Sequence, residues 1–472
     1  MPSIEHYQNI VFGGGTGGKL MTWTLAEQGE RTAVVERKWI GGSCHNIACM
    51  PSKNIIHSAK VASLFRRAAE FGIETQPFSI NMEGVRDRKR KTVEGSVKYH
   101  LARYKDGGAD LILGEGRLTG PRMLEVRTRE GSTRLLSTDR LFLNLGTHAT
   151  IPDIPGLAAA RPMSHIEALE LDRVPGHLII LGGGYVGLEF GQAMRRFGSQ
   201  VTVIERGPQL ASREDQDVGE ALLELFRDEG IDVLLHSQLT KVTGISGEST
   251  RVQVEQDGRQ RTIDASDILV AIGRTPNTKG IGLEDAGVEL DERGYIKVND
   301  RLETTAPGVW AIGECAGSPH FTHVSQDDFS VIRDNLNGGN RTTRDRLVPY
   351  CIFTDPELAR VGLNEAQARA RGIEYRVVKM PGDGVRRART LSETRGFLKM
   401  LIDEHNDRIL GFTAFITGAG EVMAVVQTAM VSSAPFTLLR DAILTHPTMA
   451  EGLGTLLADV KTKEEEKVRR AA

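Results

Sequence analysis

Apolar residues along this chain gather in short runs that end at glycine-rich turns, and the same succession happens twice. Ile10-Val11-Phe12 is a strand-like run that leads into Gly13-Gly14-Gly15-Thr16-Gly17-Gly18. A helix is predicted from that turn through Glu27, and then a second strand, Thr32-Ala33-Val34-Val35, which ends at Glu36. The unit recurs when Leu178-Ile179-Ile180-Leu181 feeds Gly182-Gly183-Gly184-Tyr185-Val186-Gly187. Its second strand, Gln200-Val201-Thr202-Val203-Ile204, ends at Glu205. In both units the acidic residue falls 18 positions after the last glycine. Past Pro349 the pattern changes to strands and amphipathic helices, with no third fingerprint. No apolar run nears the roughly 18 residues of a membrane span, so no membrane association is expected.

These turns carry a physical meaning. Gly13 and Gly182 supply a tight turn, Gly15 and Gly184 a close backbone approach to a pyrophosphate, and Gly18 and Gly187 close packing of helix on strand. The pyrophosphate rests on a helix N-terminus, where unpaired amides and the dipole favour an anion. Glu36 and Glu205 stand where a carboxylate meets a ribose hydroxyl. One such turn is weak evidence, but two in matching context predict two bound dinucleotides. Ile151-Pro152-Asp153-Ile154-Pro155-Gly156 reads as the crossover into the second unit, and Ala271-Ile272-Gly273-Arg274-Thr275-Pro276-Asn277 as the way out.

Composition adds exclusions. With 472 residues there is room for about three domains. A net charge of −3 gives no reason to expect a nucleic-acid partner. The basic stretch Arg86-Asp87-Arg88-Lys89-Arg90-Lys91 reads as a solvated helix face, and the charged end after Lys461 as a frayed tail. No charged-then-apolar leader opens the chain, so a cytoplasmic location is expected. Four cysteines are too few for a disulfide framework. Two of them, Cys44 and Cys49, sit in Gly41-Gly42-Ser43-Cys44-His45-Asn46-Ile47-Ala48-Cys49-Met50-Pro51-Ser52-Lys53. They can close a small disulfide if the backbone between them turns as one helical loop. In a reducing compartment such a pair points to catalysis rather than to stabilisation.

With these motifs in place, the chain resembles the flavin-dependent pyridine nucleotide–disulfide oxidoreductases of the glutathione reductase, dihydrolipoamide dehydrogenase and mercuric reductase group. The Cys44 to Lys53 segment resembles the redox motif, Ala271 to Asn277 the connector, and Trp310-Ala311-Ile312-Gly313-Glu314 the second flavin segment. Thr354-Asp355-Pro356-Glu357 and His446-Pro447-Thr448-Met449-Ala450-Glu451 resemble the interface domain. The wording around Ser43, Asn46 and Ala48 is closest to mercuric reductase-like and reactive-chlorine-resistance-type members. The resemblance implies an α/β architecture of two Rossmann-like dinucleotide-binding domains and a C-terminal α+β dimerisation domain. FAD is expected in residues 1–150 and 278–345, a nicotinamide cofactor in 151–277, and a homodimer interface in 346–472.

It also implies roles. Cys49 is the thiol nearest the flavin, forming the charge-transfer thiolate, and Cys44 is the outer thiol that attacks substrate. His446 is the acid/base and Glu451 orients it, both supplied to the partner subunit's site. Lys53, one helical turn past Cys49, pairs with Glu189 near the flavin. Tyr185 gates the nicotinamide side, and taken alone is a packed tyrosine in a turn. Gly42, Ser43, Lys53, Gly146, Gly273, Arg274, Gly313 and Glu314 are expected to contact cofactor, together with the six fingerprint glycines, Glu36 and Glu205. A carboxylate at Glu205 favours NADH over NADPH, while Arg206 and Arg213 nearby keep NADPH as the alternative. No metal site is expected.

The chain also departs from the group. Glu314 replaces an aspartate, Asn144-Leu145-Gly146 replaces Ala-Thr-Gly, and His45 stands where an apolar residue is commoner. His45 is read as a solvent-facing loop residue, Cys315 and Cys351 as inert. The leading expectation is an FAD-dependent NAD(P)H:disulfide oxidoreductase acting on a small disulfide, thiol or related substrate. Mercuric-type metal-ion reduction and dihydrolipoamide oxidation are alternatives, although the last 100 residues hold no cysteine pair to deliver a metal. An NADH oxidase or transhydrogenase, and a non-enzymatic redox-sensing flavoprotein, complete the field.

Overall fold

The computed structural model describes residues 3–465 and 467, so the charged end after Lys461 lies partly outside the described residues. The first unit is built on strand Ile4–Phe12, whose Ile10 and Val11 are fully buried because the sheet is covered on both faces. It runs parallel to Thr32–Glu36 on one side and to Thr133–Leu143 on the other. Asp110–Gly120 extends the parallel sheet beyond Thr32–Glu36 and then turns outward into an antiparallel meander with Met123–Thr128. The helix predicted after the first glycine turn spans Thr16–Glu27.

The second unit repeats this plan. Asp267–Val270, His177–Leu181, Gln200–Ile204 and Asp232–Leu234 form a four-stranded parallel sheet, with the predicted helix at Tyr185–Phe197. An antiparallel meander of Ser237–Ile245, Ser249–Gln256 and Arg259–Ala265 accompanies it. The two crossings between units pair with each other, Thr147–Ala149 against Arg274–Pro276. After the return, Val309–Ala311 adds to the first sheet beside Leu141–Leu143, so the first unit is completed by chain from beyond the second.

The C-terminal part is a five-stranded antiparallel sheet in the order Tyr350–Ile352, Glu357–Gly362, Ile409–Ile416, Phe397–Asp403, Tyr375–Pro381. Helix Ala419–Val431 lays Val422, Val426 and Ala429 on it. Leu453 and Leu457 of the short helix Gly452–Leu457 anchor the loop that carries His446. No helix among the described residues is long and apolar enough to cross a membrane.

Two local expectations are corrected. The basic stretch lies on helix Met82–Asp106, but it is not simply a solvated face. Lys89 is 1% exposed and pairs with Glu170, which also holds Arg90, while Arg86 reaches Asp172. A buried ammonium needs such a partner, and here the partner fastens the helix to the second unit. The backbone between the cysteines is also not one helical loop. A short turn, Ser43–Asn46, breaks at Ile47 and Ala48 before a new helix, Cys49–Arg66, begins.

Candidate active site

Glycine decides how the redox loop meets the first fingerprint. Gly42 has φ +84, and a Cβ there would lie 2.5 Å from the Cα of Gly15. Gly13 likewise has φ +105, with its absent Cβ only 2.2 Å from the Asn144 carbonyl oxygen. Three backbone stretches therefore converge without side chains between them. Beside them runs a cleft of about 470 Å³. Of the residues expected to hold a flavin, Gly15, Glu36, Gly42, Ser43, Gly146, Arg274 and Glu314 line it, as does Cys44. Gly13 and Gly18 stand behind it and shape the turn; a Cβ on Gly18 would meet the Gly13 carbonyl at 2.3 Å.

The acidic strand ends hold their glycine loops. Glu36 accepts from the Gly14 amide at 2.9 Å and from the amides of Lys38 and Trp39 at 2.7 and 3.0 Å. Glu205 does the same, accepting from Gly183 and Gly207, each at 2.7 Å. Gly182 and Gly187 are packed shut, with absent Cβ atoms 2.7 Å from the Ala271 oxygen and 2.1 Å from the Gly182 oxygen. Gly184 differs, because a Cβ there meets nothing within 4 Å. Open space over an N-cap glycine is what an approaching pyrophosphate requires.

Glu314, longer than the aspartate of the resembled group, is tied back within the cleft. It accepts from the Thr147 hydroxyl and from Arg274 Nε at 3.2 Å, and Arg274 also donates to Thr147. Gly313 donates its amide to buried Asp328 at 2.7 Å, which is held in turn by Arg346. Gly273 has φ +150 and stands clear of other atoms, so the connector turns there freely.

Cys44 and Cys49 are not joined by a disulfide in the structure, and each shifts the pKa of the other. Cys49 opens helix Cys49–Arg66, and its Sγ lies 3.1 Å from the hydroxyl of Thr322, the first residue of helix Thr322–Leu336. The Cys44 thiol, the Thr322 hydroxyl and the Lys53 charge overcome burial and lower the Cys49 pKa to about 6. Cys44 is pushed the other way, first by Cys49 and then by burial. The pair thus holds one proton on Cys44 and a thiolate on Cys49. Lys53 shares the helix face of Cys49 and meets Glu189 at 2.6 Å. Glu189 is 4% exposed and also accepts the Phe353 amide at 2.9 Å. Tyr185 opens its helix half-exposed, its ring 6.4 Å from that of Phe321.

His446 and Glu451 are brought together, with Nδ1 3.0 Å from each carboxylate oxygen. Arg386 holds the same carboxylate at 2.8 Å, and these charges keep the Glu451 pKa below the usual carboxylate range. Within one chain neither residue hydrogen-bonds to the cysteine pair. Cys315 is fully buried and burial raises its pKa to about 11; burial raises Cys351 further, as expected of inert thiols. His45 is corrected from a solvent-facing residue to a half-buried one, its ring edge-on to His100 at 4.7 Å.

Several residues of the site were not foreseen. Thr322 touches Cys49, Ser325 accepts the Gly17 amide at 3.1 Å, and Asn144 Oδ1 accepts the Gly18 amide at 3.1 Å. Phe321 stacks on Tyr350, with centroids 5.6 Å apart, and so links Tyr185 to the C-terminal sheet. The one available signal was Thr322 and His323 opening a helix soon after Gly313-Glu314.

A double fingerprint, a cleft for a flavin dinucleotide and a dithiol beside a lysine–glutamate pair define a class of redox enzyme. The chain belongs to the pyridine nucleotide-disulphide oxidoreductase family, whose model matches residues 7–328, and the family's dimerisation-domain model matches residues 348–457. It is 36% identical over 464 residues to the probable pyridine nucleotide-disulfide oxidoreductase RclA of Escherichia coli (strain K12), covering 97% of this chain and 100% of that protein. It is 34% identical over 457 residues to mercuric reductase of Acidithiobacillus ferrooxidans, covering 95% and 82% of the two. Among solved structures, the Cu(II) complex of the HOCl-induced flavoprotein disulfide reductase RclA from Escherichia coli matches with TM-score 0.88 at 33% identity, covering 97% of this chain and 100% of that one. The present chain is an FAD-dependent enzyme that carries electrons between a nicotinamide nucleotide and a disulfide.

Proposed function

We propose that the enzyme reduces a small disulfide with electrons from NADH, using Cys44 and Cys49 as its own redox pair. The observation that carries this is the placement of the pair: Cys44 lines the cleft, while Cys49 lies against the Thr322 hydroxyl, on the helix face of Lys53. FAD, when bound, supplies a two-electron carrier that accepts hydride from the nicotinamide. The residues do the rest. Glu189 holds Lys53, whose charge favours the Cys49 thiolate. His446 of the partner subunit takes the Cys44 proton, and the Cys44 thiolate attacks one sulfur of the substrate: a Cys44–sulfur bond forms and the substrate S–S bond breaks. The departing thiolate takes a proton from His446 of the partner subunit. Cys49 then attacks Cys44, closes the protein disulfide and expels the second half of the substrate as a thiolate, which takes its proton from water.

The homodimer rests on the match to the dimerisation domain and on apolar side chains left bare in the C-terminal part. Val431, Leu438 and Ile443 are 70%, 54% and 103% exposed. The flavin domain is read as 1–150 with 278–345, supported by Val309–Ala311 joining the first sheet; the nicotinamide domain as 151–277 and the interface domain as 346–472. NADH is favoured by the Glu205 carboxylate. Arg206 and Arg213 are exposed beside it and keep NADPH as the comparison to make. An enzyme fed by NADH works where that nucleotide is held, so the cytoplasm is its place. The Cu(II) complex of the Escherichia coli relative makes a metal ion the second class of acceptor to screen. Cys44→Ser is expected to abolish NADH-dependent disulfide reduction while flavin stays bound. Disulfide reduction that survives the substitution would overturn the reading and favour an oxidase.

A further inference from the structure

The unexplained group closest to this chemistry is a buried amine. Lys19 lies on the first helix, three residues inside its start, and is only 4% exposed. No carboxylate pairs with it among the described residues. Its Nζ donates to His100 Nε2 at 2.9 Å and to the Gly41 carbonyl at 3.4 Å. Two of its three N–H bonds are thereby used. An ammonium removed from water and left without an anion is strongly disfavoured, so its retention calls for a partner that is an anion only at times. Cys44 is that group, three residues past Gly41, and its charge is the one that favours the protonated amine.

The surroundings are shaped for this placement. Gly41 has φ +84, and a Cβ there would strike the His100 ring at 2.6 Å, so the loop can lie on the imidazole only as glycine. His100 is 2% exposed, and His45 packs on it at 4.7 Å. From its own helix Lys19 faces the Trp23 ring at 5.9 Å. Tyr99 and Tyr104 of helix Met82–Asp106 pack around that indole, and Arg103, itself paired with Glu27, covers it at 5.2 Å. His45 and His100 also line a cavity of about 330 Å³, through which water can reach the cluster.

We propose that Lys19 is a positioning residue that acts through Cys44, as the counter-charge for its thiolate from within the same subunit. This rests on the reading of Cys44 as the outer, attacking thiol. Burial lowers the Lys19 pKa to about 8, so the amine still carries its proton at neutral pH and loses it above. Burial, and then the Lys19 charge, lower the His100 pKa to about 4 and lower that of His45 too. Both imidazoles are therefore neutral, and His100 Nε2 accepts from the ammonium. The counter-charge is present below about pH 8 and withdrawn as pH rises through it.

The test is the rate of Cys44 alkylation by iodoacetamide against pH in the anaerobically reduced holoenzyme, with the modified cysteine identified by mass spectrometry. Lys19→Met is expected to raise the pH midpoint by about one unit, which is about tenfold slower labelling at pH 7. Lys19→Arg, which keeps the charge, is expected to restore the wild-type rate. An unmoved midpoint in a Lys19→Met protein that binds flavin overturns the proposal, as does an arginine variant as slow as the methionine one. Should the methionine variant not take up flavin, wild type is compared with Lys19→Arg. Wild-type labelling should then fall off above about pH 8 relative to arginine, and parallel profiles overturn the proposal. If only Cys49 is labelled and Cys44 stays unmodified at every pH, it is the reading of the outer thiol that fails, an outcome separate from an unmoved midpoint.

Discussion

Thr322 is one of three groups that set the state of the Cys49 sulfur. It lies 3.1 Å from Cys49 Sγ, and with the Cys44 thiol and the Lys53 charge it lowers the thiol pKa to about 6. The sign follows directly. A lowered pKa means the thiolate persists as pH falls, until pH passes through about 6 and the proton returns. A hydrogen bond to a charged group contributes about 1.5–3 kcal/mol, or roughly one to two pH units. Thr322→Val, which keeps the shape and removes the donor, is thus expected to raise the midpoint of thiolate absorbance in the reduced enzyme by about one unit. A midpoint unchanged in that variant would mean the threonine is only a neighbour. This contact was illegible in the sequence, because 273 positions separate the two residues. Asn144 on Gly18 and His100 on Lys19 were hidden for the same reason, being brought together by the fold and not by spacing.

At the scale of elements, the two glycine turns were readable because their chemistry is local. Each glycine's need is set by atoms within a few residues or by the next strand, so the motif itself carries the prediction. Gly187 and Gly184 separate folding from binding. A Cβ on Gly187 would sit 2.1 Å from the Gly182 oxygen, whereas one on Gly184 meets nothing within 4 Å. Gly187→Ala is therefore expected to destabilise the second unit, seen as a lower midpoint of chemical denaturation. Gly184→Ala, at φ −82, should fold as wild type with full flavin content yet show a KM for NADH raised about tenfold or more. Equal KM values for Gly184→Ala and wild type would remove the nicotinamide from that turn. What the pattern did not supply was the break at Ile47 and Ala48 between the cysteines. The spacing of two thiols constrains their reach but not the path of the backbone joining them.

At the scale of the molecule, the proposed site depends on a second copy. His446 and Glu451 are paired to each other, neither lines the cleft that Cys44 lines, and Ile443, three residues before His446, is exposed. Cys44→Ser and His446→Gln homodimers are each expected to be inactive. Unfolded together and refolded one to one, half the dimers pair unlike chains, and each of these holds one intact site, giving about a quarter of wild-type activity. No recovery at all would mean that His446 serves its own chain or no site. The central claim, that the dithiol is wired to the flavin, is tested most directly by titrating the purified holoenzyme anaerobically with NADH near pH 7.5. A long-wavelength band is expected in the two-electron form, from the Cys49 thiolate and the flavin, and it should disappear as pH falls through about 6. A flavin that bleaches with no such band at any pH would contradict that claim.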